Sequence, residues 1–403
     1  MNILWIPNFT PFPPDNGGKL LTYNRMKQVA KQHSIYMIVE SEEYESKQIS
    51  MANEVCKEYV VVQPIQRNLI QKIISVAIKC RNVEKYRNPK VTEKICEFID
   101  KYNIDLINFD LPMPAVNILP IKDKLRHIPV VINQQNVEFN NCKSKIYTKG
   151  VSLPMKIYSI LESKKLYAWE RNLYRNNCIK AISHVSEEDK RMIEKSFSIL
   201  PKFSEVMPIG TTMPASTEKI VTNDEKKHIV FPASFDYAPN AHGAVWFVEE
   251  VWPLIKKEYE NVDLYLVGRD PKPEVKKYNG NDIIVTGTVD KITPYFAMAD
   301  MFVVPIFFGG GVKTKLIEMG CWKRPVVSTI FGAKGTVYND EDIILCDEPS
   351  RFAENCIEIL AHPEKFVKLC ESMYQKTTDN YLWNAIGRQY IDFLNKVVGA
   401  KSI

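Results

Sequence analysis

A glycine-rich loop followed by two lysines and a glutamate is the part of this sequence whose residue types and spacing are best suited to chemistry. It lies in VVPIFFGGGVKTKLIEMG (303–320), where a buried strand is predicted to end at Pro305 and a helix to start at Val312. The loop glycines are Gly309, Gly310 and Gly311. Glycine lets a backbone approach a bound anion, and the N–H groups at a helix start attract phosphate. The loop therefore predicts an anion site.

The charged residues after this loop strengthen the prediction. Lys313 and Lys315 are expected in the first helical turn, where positive charge opposes the helix dipole. This unfavourable placement indicates an anionic ligand that offsets it. Glu318 follows three residues beyond Lys315 on roughly the same face and can accept hydrogen bonds from two vicinal hydroxyls. Three glycines alone are a weak signal, whereas glycines, KxK and Glu after a strand end are a much stronger one.

Two successive runs of alternating strands and helices must position these residues. Strands are predicted at 2–6, 35–39, 59–62, 105–109 and 130–133 in the first half, and, after the turn-rich segment 207–219, at 228–232, 263–267, 283–285, 301–304, 325–328 and 343–346. A helix is predicted over 241–257, with Trp246, Val251 and Trp252 as core residues. Such alternation is typical of parallel α/β sheets. We therefore expect two tandem Rossmann-like, doubly wound domains whose strand carboxyl ends face a shared cleft, where ligands bind.

Composition excludes several other classes of protein. The 403 residues are 45% apolar and 25% charged, unlike a collagen-like or wholly disordered chain. No apolar run reaches about 18 residues, and MNILWIPNF is typical of a first strand rather than a signal peptide, so the cytoplasm is expected. Nine scattered cysteines without a CxxC pair, and six histidines without ligand spacing, indicate reduced thiols and no zinc site.

Charge is unevenly distributed along the chain. Residues 1–225 hold 32 basic and 25 acidic side chains, whereas residues 226–403 hold 21 and 23. Residues 65–90 hold seven basic side chains and one acid, Glu84, interleaved with isoleucine, leucine and valine. This pattern resembles a basic amphipathic helix on an anionic membrane surface, although an ordinary surface helix packed on its own domain remains the alternative. A pI near 8.5 and the lack of a recognised motif disfavour nucleic acid.

Motifs along nearly the whole chain resemble the retaining GT-B glycosyltransferases of family 4, especially a bacterial polysaccharide subgroup with a GGGxRxKxLEAMAxGxPVVST-like pattern. In order, they are PPDNGGKLLTYN (13–24), VVINQQNVEF (130–139), ERNLYRNNCIKAISHVSEED (170–189), SFDYAPNAHGAVWFVEEVWPLI (234–255), LVGRDP (266–271), VTGTVDKITPYFAMADMFVVP (285–305) and YLWNAIGRQY (381–390). The agreement in order and spacing is not expected of a chance match to one motif.

This resemblance implies roles for residues of the glycine loop. Glu318 corresponds to the second glutamate of the family's Glu-x7-Glu motif, which binds the ribose hydroxyls of the nucleotide. Gly310 stands at the first glutamate, a position where the subgroup tolerates glycine. The backbone N–H groups of Gly310 and Gly311 would then hold the transferred sugar or a phosphate.

The resemblance also implies contacts from other loops. Gly17 and Gly18 match the glycine loop of the N-terminal domain, whose backbone approaches the donor diphosphate and sugar. A plain turn that caps the next helix is the alternative for these two glycines. Thr286, Gly287 and Val289 match the loop that lines the nucleobase pocket.

Two positions depart from the family pattern. Many members carry a histidine where this chain has Gln135, and a glutamine can hydrogen-bond a sugar hydroxyl but cannot relay a proton. Many also carry an Arg and a Lys in the loop that here reads SFDYAPN (234–240). We hypothesise that Lys313, Lys315 and Arg269 supply the missing charge.

Two acidic sites have simpler interpretations. Glu138 is either a buried or helix-start acid or an acceptor-side group. Asp340-Glu341-Asp342 has the DxD form of a different glycosyltransferase fold but is expected to be a solvated turn, with no obligatory metal.

The expected protein is thus a metal-independent, retaining hexosyltransferase with no cofactor besides its donor, a UDP- or GDP-sugar. Residues 1–206 would bind the acceptor, 207–380 the donor, and 381–403 would form a helix crossing back to the first domain. The acceptor would be a glycan, in particular a lipid-linked one in capsule, O-antigen or exopolysaccharide assembly, reached at the inner face of the cytoplasmic membrane. A GT-B-fold nucleotide-sugar epimerase and a non-catalytic partner subunit remain open alternatives.

Overall fold

The computed structural model describes residues 1–42, 45–68, 79–144, 146, 152–220, 226–309 and 312–400. The chain divides into two compact units. Unit 1 comprises Met1–Ile209 and Trp383–Ile403, and unit 2 comprises Gly210–Leu382. Within the described ranges, no helix is long and apolar enough to cross a membrane.

Unit 1 is built on a parallel sheet. Its described strands are β1 (Asn2–Ile6), β2 (Ser34–Glu40), β3 (Glu58–Val62), β4 (Leu106–Asp110), β5 (Val130–Asn133), β6 (Ile179–His184) and β7 (Phe203–Val206). Their order is β3-β2-β1-β4-β5-β6-β7, the order of a doubly wound sheet with one strand added. The five strands predicted for this half are confirmed to within one residue at each end. β6 and β7 were not predicted.

Helices connect these strands. In the described part of unit 1 they are α1 (Gly17–Val29), α2 (Ser46–Val55), α3 (Arg81–Glu84), α4 (Pro89–Tyr102), α5 (Glu138–Ser144), α6 (Leu153–Tyr174) and α7 (Glu187–Ser196). Short 3₁₀ turns at Met113–Asn117 and Leu119–Ile121 follow β4.

Unit 2 repeats this plan. Its described strands are β8 (Lys227–Pro232), β9 (Val262–Val267), β10 (Ile283–Gly287), β11 (Met301–Val304), β12 (Val326–Ser328) and β13 (Ile344–Leu345), in the order β10-β9-β8-β11-β12-β13. All are parallel, and the six predicted strands are confirmed within two residues at each end. The described helices are α8 (Ala238–Trp246), α9 (Trp252–Glu258), α10 (Pro273–Lys276), α11 (Thr293–Met298), α12 (Thr314–Met319), α13 (Ile330–Ala333), α14 (Pro349–Ala361) and α15 (Val367–Tyr381). The α/β prediction of two parallel-sheet domains is therefore confirmed.

The helix predicted over 241–257 is interrupted. A π-helical turn, Phe247–Val251, separates α8 from α9. Pro253 explains the break, because its ring has no N–H and clashes with the carbonyl of the preceding turn. Val251 and Trp252 are buried as expected, whereas Trp246 is only partly buried and packs edge-on against Phe307.

The core of unit 1 occupies both faces of its sheet, which is why its strands are almost continuously apolar. Along β1 the side chains alternate: Leu4 packs in the cluster that includes Phe98 of α4, and Trp5 in the opposite cluster. The last described helix, α16 (Trp383–Gly399), covers that second face with Leu394. α16 packs against α1 so closely that a Cβ at Gly387 would lie 2.6 Å from Cβ of Gln28.

The acidic turn of unit 2 differs from its prediction. Asp340 and Glu341 are exposed, but Asp342 is fully buried. Its carboxylate accepts hydrogen bonds from Lys376 Nζ at 2.7 Å and from Ser372 Oγ at 2.7 Å. The prediction of a solvated turn is therefore wrong for Asp342, which fixes the turn to α15.

Candidate functional site

The predicted anion site lies at the carboxyl edge of the unit 2 sheet, where the loops after β8 and β11 come together. This is the point at which the strand order reverses, and open α/β sheets bind ligands at such points. Gly309 has φ +123°, and a Cβ there would lie 2.8 Å from Oη of Tyr237 and 3.0 Å from Cγ of Pro239. Only glycine allows this close passage. Gly310 and Gly311 lie outside the described residues, so their predicted contacts stay predictions.

The loop after β8 gains its positive charge from the end of β9. Arg269 Nε donates to Ser234 Oγ at 2.8 Å, and Ser234 Oγ in turn donates to Asp236 Oδ1 at 2.6 Å. The Arg269 side chain is otherwise exposed. The structure thus brings Arg269 to SFDYAPN, the loop that lacks the cationic residues of the family pattern.

The ends of β9 and β10 are joined through Thr286. Gly268 N donates to Thr286 Oγ1 at 3.3 Å, and Thr286 Oγ1 donates to the carbonyl of Gly287 at 2.9 Å. Gly268 has φ +153°, and a Cβ there would lie 1.6 Å from the carbonyl oxygen of Ala233. Gly287 has φ +66° and Val289 is partly buried. The predicted nucleobase loop therefore lies beside the loops after β8 and β9.

Lys315 and Glu318 form an ion pair on α12. Lys315 Nζ lies 3.0 Å from Oε1 and 2.8 Å from Oε2 of Glu318, and both side chains are partly exposed. A carboxylate has about four acceptor positions, so the lysine leaves Glu318 able to accept from hydroxyl donors. The helix begins at Thr314 rather than Val312, which places Lys313 at the cap position and Lys315 in the first turn.

Two lysines flank one aromatic ring at the same edge. Lys313 Nζ lies 4.3 Å from the ring centroid of Phe331, and Lys334 Nζ lies 5.7 Å from it. Phe331 follows β12, so the ring places cations from two loops next to each other. With Lys315 and Arg269, this edge carries four cationic side chains.

Sequence reasoning missed Thr329, which holds the loops after β11 and β12 together. Its buried Oγ1 accepts from Ile306 N at 3.1 Å and from Gly332 N at 3.0 Å, and donates to the carbonyl of Ile306. The signal was present in the PVVST motif, whose threonine follows a buried strand.

In unit 1 the structure brings together two predicted residues, Gly18 and Gln135. A Cβ at Gly18 would lie 2.8 Å from Gln135 Oε1 and 3.1 Å from Cζ of Phe9. Gly17 starts α1, and the Asn16 side chain caps that helix by accepting from Lys19 N at 3.1 Å. A helix cap therefore accounts for the PPDNGG segment, and the donor contact implied for Gly17 and Gly18 stays a prediction.

Gln135 rests on a buried polar network that sequence reasoning also missed. Gln135 Nε2 donates to Thr22 Oγ1 at 3.3 Å, and Thr22 Oγ1 donates to Asp110 Oδ2 at 2.8 Å. Asp110 also accepts from Trp5 Nε1 at 2.9 Å and from Asn133 Nδ2 at 3.0 Å. Burial raises the pKa of Asp110, while these hydrogen bonds oppose the increase. The signal was a polar Asn and Asp within the apolar strand LINFD.

The network continues into α16 and α1. Tyr390 Oη lies 2.8 Å from both Asn108 Oδ1 and Asn133 Oδ1. The buried Arg25 guanidinium lies 5.1 Å from the Tyr390 ring centroid and donates to the carbonyl of Met207. Burial lowers the pKa of Arg25, and the nearby Asp110 opposes that decrease.

A cavity of about 190 Å³ opens in unit 1 after β1 and β2. Its polar lining includes Asn8, Glu40, Lys85, Tyr86 and Asn117. Within the described structure, the side-chain oxygen of Asn8 is buried without a hydrogen-bond partner. Burial raises the pKa of Glu40, and Glu40 Oε2 accepts from Asn88 Nδ2 at 3.1 Å. This cavity is below the 300–1,000 Å³ typical of drug-sized ligands and suits a small polar group.

The predicted basic helix over 65–90 is wrong in its described part. Residues 65–68 and 85–88 are not helical, α3 covers only four residues, and residues 69–78 lie outside the description. Arg67 points inward, donating to the carbonyls of Glu84 at 2.6 Å and Arg87 at 2.7 Å. Arg87 and Lys79 both pair with Glu84. In the described part of the segment, these charges therefore bind other residues of the segment itself.

The structure also describes Glu138, the residues that could bind a metal ion and the cysteines. Glu138 is the first residue of α5, consistent with a helix-start acid. Among the described residues, no three His, Cys, Asp or Glu side chains are grouped to hold a metal ion. All nine cysteines are free thiols, and seven are buried.

Comparison with known proteins shows which families and proteins this chain resembles. Residues 226–362 match the family model described as Glycosyl transferases group 1. A relative described as an uncharacterized 44.6 kDa protein in the cps region of Klebsiella pneumoniae is 20% identical, over 94% of this chain and 96% of the relative.

Solved glycosyltransferase structures share the fold of this chain. A glycosyltransferase from Rickettsia africae superposes with TM-score 0.67 at 13% identity, over 98% of both chains. Anabaena Alr3699/HepE in complex with UDP and glucose superposes with TM-score 0.64 at 12% identity, over 98% of this chain and 100% of that one. The chain is thus glycosyltransferase-like, with the α/β two-domain architecture of GT-B enzymes.

Proposed function

We propose that this protein transfers a hexose-type sugar from a nucleoside diphosphate sugar to a hydroxyl acceptor, with retention of anomeric configuration and without a metal ion. The observation that carries the proposal is the Lys315–Glu318 pair on the helix that follows the Gly309 turn, after the strand at the switch point of unit 2. It lies within the segment that matches the glycosyltransferase group 1 model.

The donor would bind along the cationic edge of unit 2. Glu318 would accept hydrogen bonds from the ribose hydroxyls, and Lys313 and Lys315 would bind the diphosphate together with backbone N–H groups of the glycine loop. Arg269 would supply positive charge at the loop after β8, and the nucleobase would lie against Thr286, Gly287 and Val289. The complex of a structural relative with UDP and glucose supports UDP as the first nucleotide to test.

Catalysis would be electrostatic and positional. Cations already held at the sheet edge stabilise the charge that develops on the departing diphosphate. The departing phosphate can accept the proton of the acceptor hydroxyl, so no strong protein base is required. Gln135 fits this mechanism, because an amide held by Thr22 can orient a hydroxyl without exchanging a proton.

The acceptor would bind in unit 1, and the small cavity after β1 supports this assignment. A buried carbonyl oxygen without a partner is costly, and a sugar hydroxyl would satisfy that of Asn8. A relative in a cps region supports a glycan acceptor, lipid-linked in the assembly of a bacterial surface polysaccharide.

The decisive experiment measures nucleotide binding by thermal shift, with UDP, GDP, ADP and TDP in the presence of a chelator. A ligand at 100 times its Kd stabilises its protein by about 2.7 kcal/mol. We expect one nucleotide to raise the Tm of the wild type and to lose this effect in Glu318→Gln.

Glu371→Gln is the matched control, because Glu371 also lies in unit 2 and pairs with a lysine, Lys323, at 2.8 Å. Equal shifts in both variants would contradict the donor site. The anomeric configuration of the product then tests retention, and binding without any transfer would favour a non-catalytic partner subunit. Conversion of the sugar nucleotide without an acceptor would favour an epimerase.

A further inference from the structure

The first half of α6 has its apolar side chains outside and its polar side chains inside. Leu153 is 70% exposed, Ile157 50% and Leu161 52%, and Ile160 is also exposed. With Lys164, these residues follow the spacing i, i+4, i+7, i+8 and i+11, which places them on one stripe of the helix. We call this stripe the α6 outer face.

After the exposed Met155 in the first turn, the opposite side of the helix is polar and buried. Glu162 Oε1 accepts from Asn82 N of α3 at 2.7 Å, and Ser163 Oγ donates to the carbonyl of Phe139 of α5 at 2.7 Å. Ser159 is buried as well, and its carbonyl accepts from Cys142 Sγ at 3.6 Å. Rotating the helix to hide its apolar stripe would break these bonds and leave buried polar groups unpaired, which is costly. The exposed stripe is therefore fixed by the fold.

The exposed charges of α6 all have one sign. The solvent-accessible charged side chains of the helix are basic, namely Lys156, Lys164, Lys165 and Arg171, and Arg175 follows its last residue. Both acids of the helix, Glu162 and Glu170, are buried. The bond from Glu162 to α3 also brings Arg81 to α6, where it reaches Tyr158.

An apolar stripe on a helix whose own exposed charges are all cations favours one kind of partner. A second copy of this chain would bring like charges together, so the face is not self-complementary. A bilayer with anionic headgroups satisfies both features, because apolar side chains enter the acyl boundary while lysines extend to the headgroups. We propose that the α6 outer face is a peripheral binding surface for an anionic membrane.

This proposal does not depend on the transferase reaction, and it assigns membrane contact to α6 instead of the basic segment 65–90. It would hold unit 1, with its candidate acceptor cavity, at a lipid surface.

Sedimentation with vesicles tests the proposal, using phosphatidylcholine vesicles with and without phosphatidylglycerol. The wild type should bind the anionic vesicles and be released by high salt, which screens exposed charges. Ile157→Ser/Leu161→Ser should lower the partition coefficient about tenfold. Lys164→Gln should lower it about fivefold, or about 1 kcal/mol.

Ile220→Ser/Val367→Ser is the matched control, because these two side chains are similarly exposed, at 52% and 62%, but lie in unit 2. It should bind vesicles like the wild type. Equal binding by all variants, or no binding by the wild type, would overturn the proposal.

Two further outcomes would assign the stripe to another role. A large fall in Tm for Ile157→Ser/Leu161→Ser would mean that the stripe is covered within the protein. A dimer in analytical ultracentrifugation that this variant abolishes would mean that a second copy covers it. The thermal shift with nucleotide is measured on the same variants, so a failure of membrane binding is separable from a failure of the donor site.

Discussion

The six strands of unit 2 and the first six of unit 1 follow the same order, but the two sheets end in chemically different edges. At the edge of unit 1, Asp110 is buried and held by Thr22, Trp5 and Asn133. At the edge of unit 2, Lys315 and Arg269 are solvent-accessible and held by few bonds. The same order of six strands therefore carries two different arrangements of polar groups. Unit 1 uses buried polar groups to fix its fold, and unit 2 keeps charged groups accessible to a ligand.

This contrast predicts where substitutions act. Changes to the unit 1 network should affect mainly folding, because they leave buried partners unsatisfied. Changes to the unit 2 cations should affect mainly ligand binding, because exposed ion pairs contribute about 0–1 kcal/mol to stability.

The largest effect is expected for Asp110→Ala. The change leaves the indole N–H of Trp5, the Thr22 hydroxyl and the Asn133 amide without their buried acceptor, and it removes the negative charge near the Arg25 guanidinium. Removing one partner of a buried charged group costs about 3–5 kcal/mol. Chemical denaturation should show this loss, whereas the exposed Asp123→Ala should unfold like the wild type. A stable Asp110→Ala would remove the contrast between the two edges.

Gly268→Ala should show that the fold of unit 2 depends on glycine rather than on its cations. The added Cβ would meet the Ala233 carbonyl oxygen at 1.6 Å, so the backbone must shift. We expect a loss of about 1–3 kcal/mol in thermal unfolding. Gly287→Ala is the comparison, because its Cβ would enter open space, and only the strain of its positive φ remains. An equal loss in both variants would attribute the effect to φ alone.

Lys315→Met should weaken nucleotide binding with little change in the stability of the free protein. A hydrogen bond to a charged group contributes about 1.5–3 kcal/mol, so we expect the Kd to rise about 10- to 100-fold. Titration calorimetry measures this change, with Lys323→Met as the control lysine. Unchanged affinity alongside a loss in Glu318→Gln would refute the hypothesis that lysines compensate for the SFDYAPN loop.

The most gradual effect is a pH dependence of stability, small over any single pH unit, that should belong to unit 1. Burial raises the pKa of Glu170 to about 8, the nearby Glu138 carboxylate adds to the increase, and the Tyr174 hydroxyl opposes it. The folded state therefore keeps a proton that the unfolded state loses, so stability falls as pH rises from about 4.5 to 8, by at most about 1.4 kcal/mol per pH unit. Glu170→Gln should flatten this slope in denaturation series, and the exposed Glu194→Gln should not. Equal slopes of stability against pH in the wild type and Glu170→Gln would mean that Glu170 is ionised in the folded protein.

The strands could be predicted because each is a short apolar run between turn residues, a local property. β6 and β7 are the exceptions. Polar residues interrupt the apolar run of β6, IKAISH, whereas only half of FSEV in β7 is apolar and its strand state depends on pairing with β6. Lysines and glutamate next to glycine identified the unit 2 edge, because all of them lie within ten residues. The Asp110 network could not be found this way, because Trp5 and Tyr390 reach it from 105 and more than 250 positions away.

The periodicity of apolar residues along the sequence does not by itself determine how a helix is oriented in the fold. It shows that a helix has two faces but not which face is buried. The pattern at 65–90 predicted a helix where Arg67 instead binds backbone carbonyls of the segment itself. The first half of α6 has an apolar stripe, and only its surroundings in the fold, including the bonds of Glu162 and Ser163, show that this stripe faces outward.

The return of the chain to unit 1 through α16 has a consequence for its biosynthesis. Tyr390, Phe393 and Leu394 belong to the core that packs on β1 and β2, yet the ribosome makes them after all of unit 2. The second unit can close while the first still exposes an apolar sheet face. The nascent chain must therefore keep that face from aggregating until its last helix emerges.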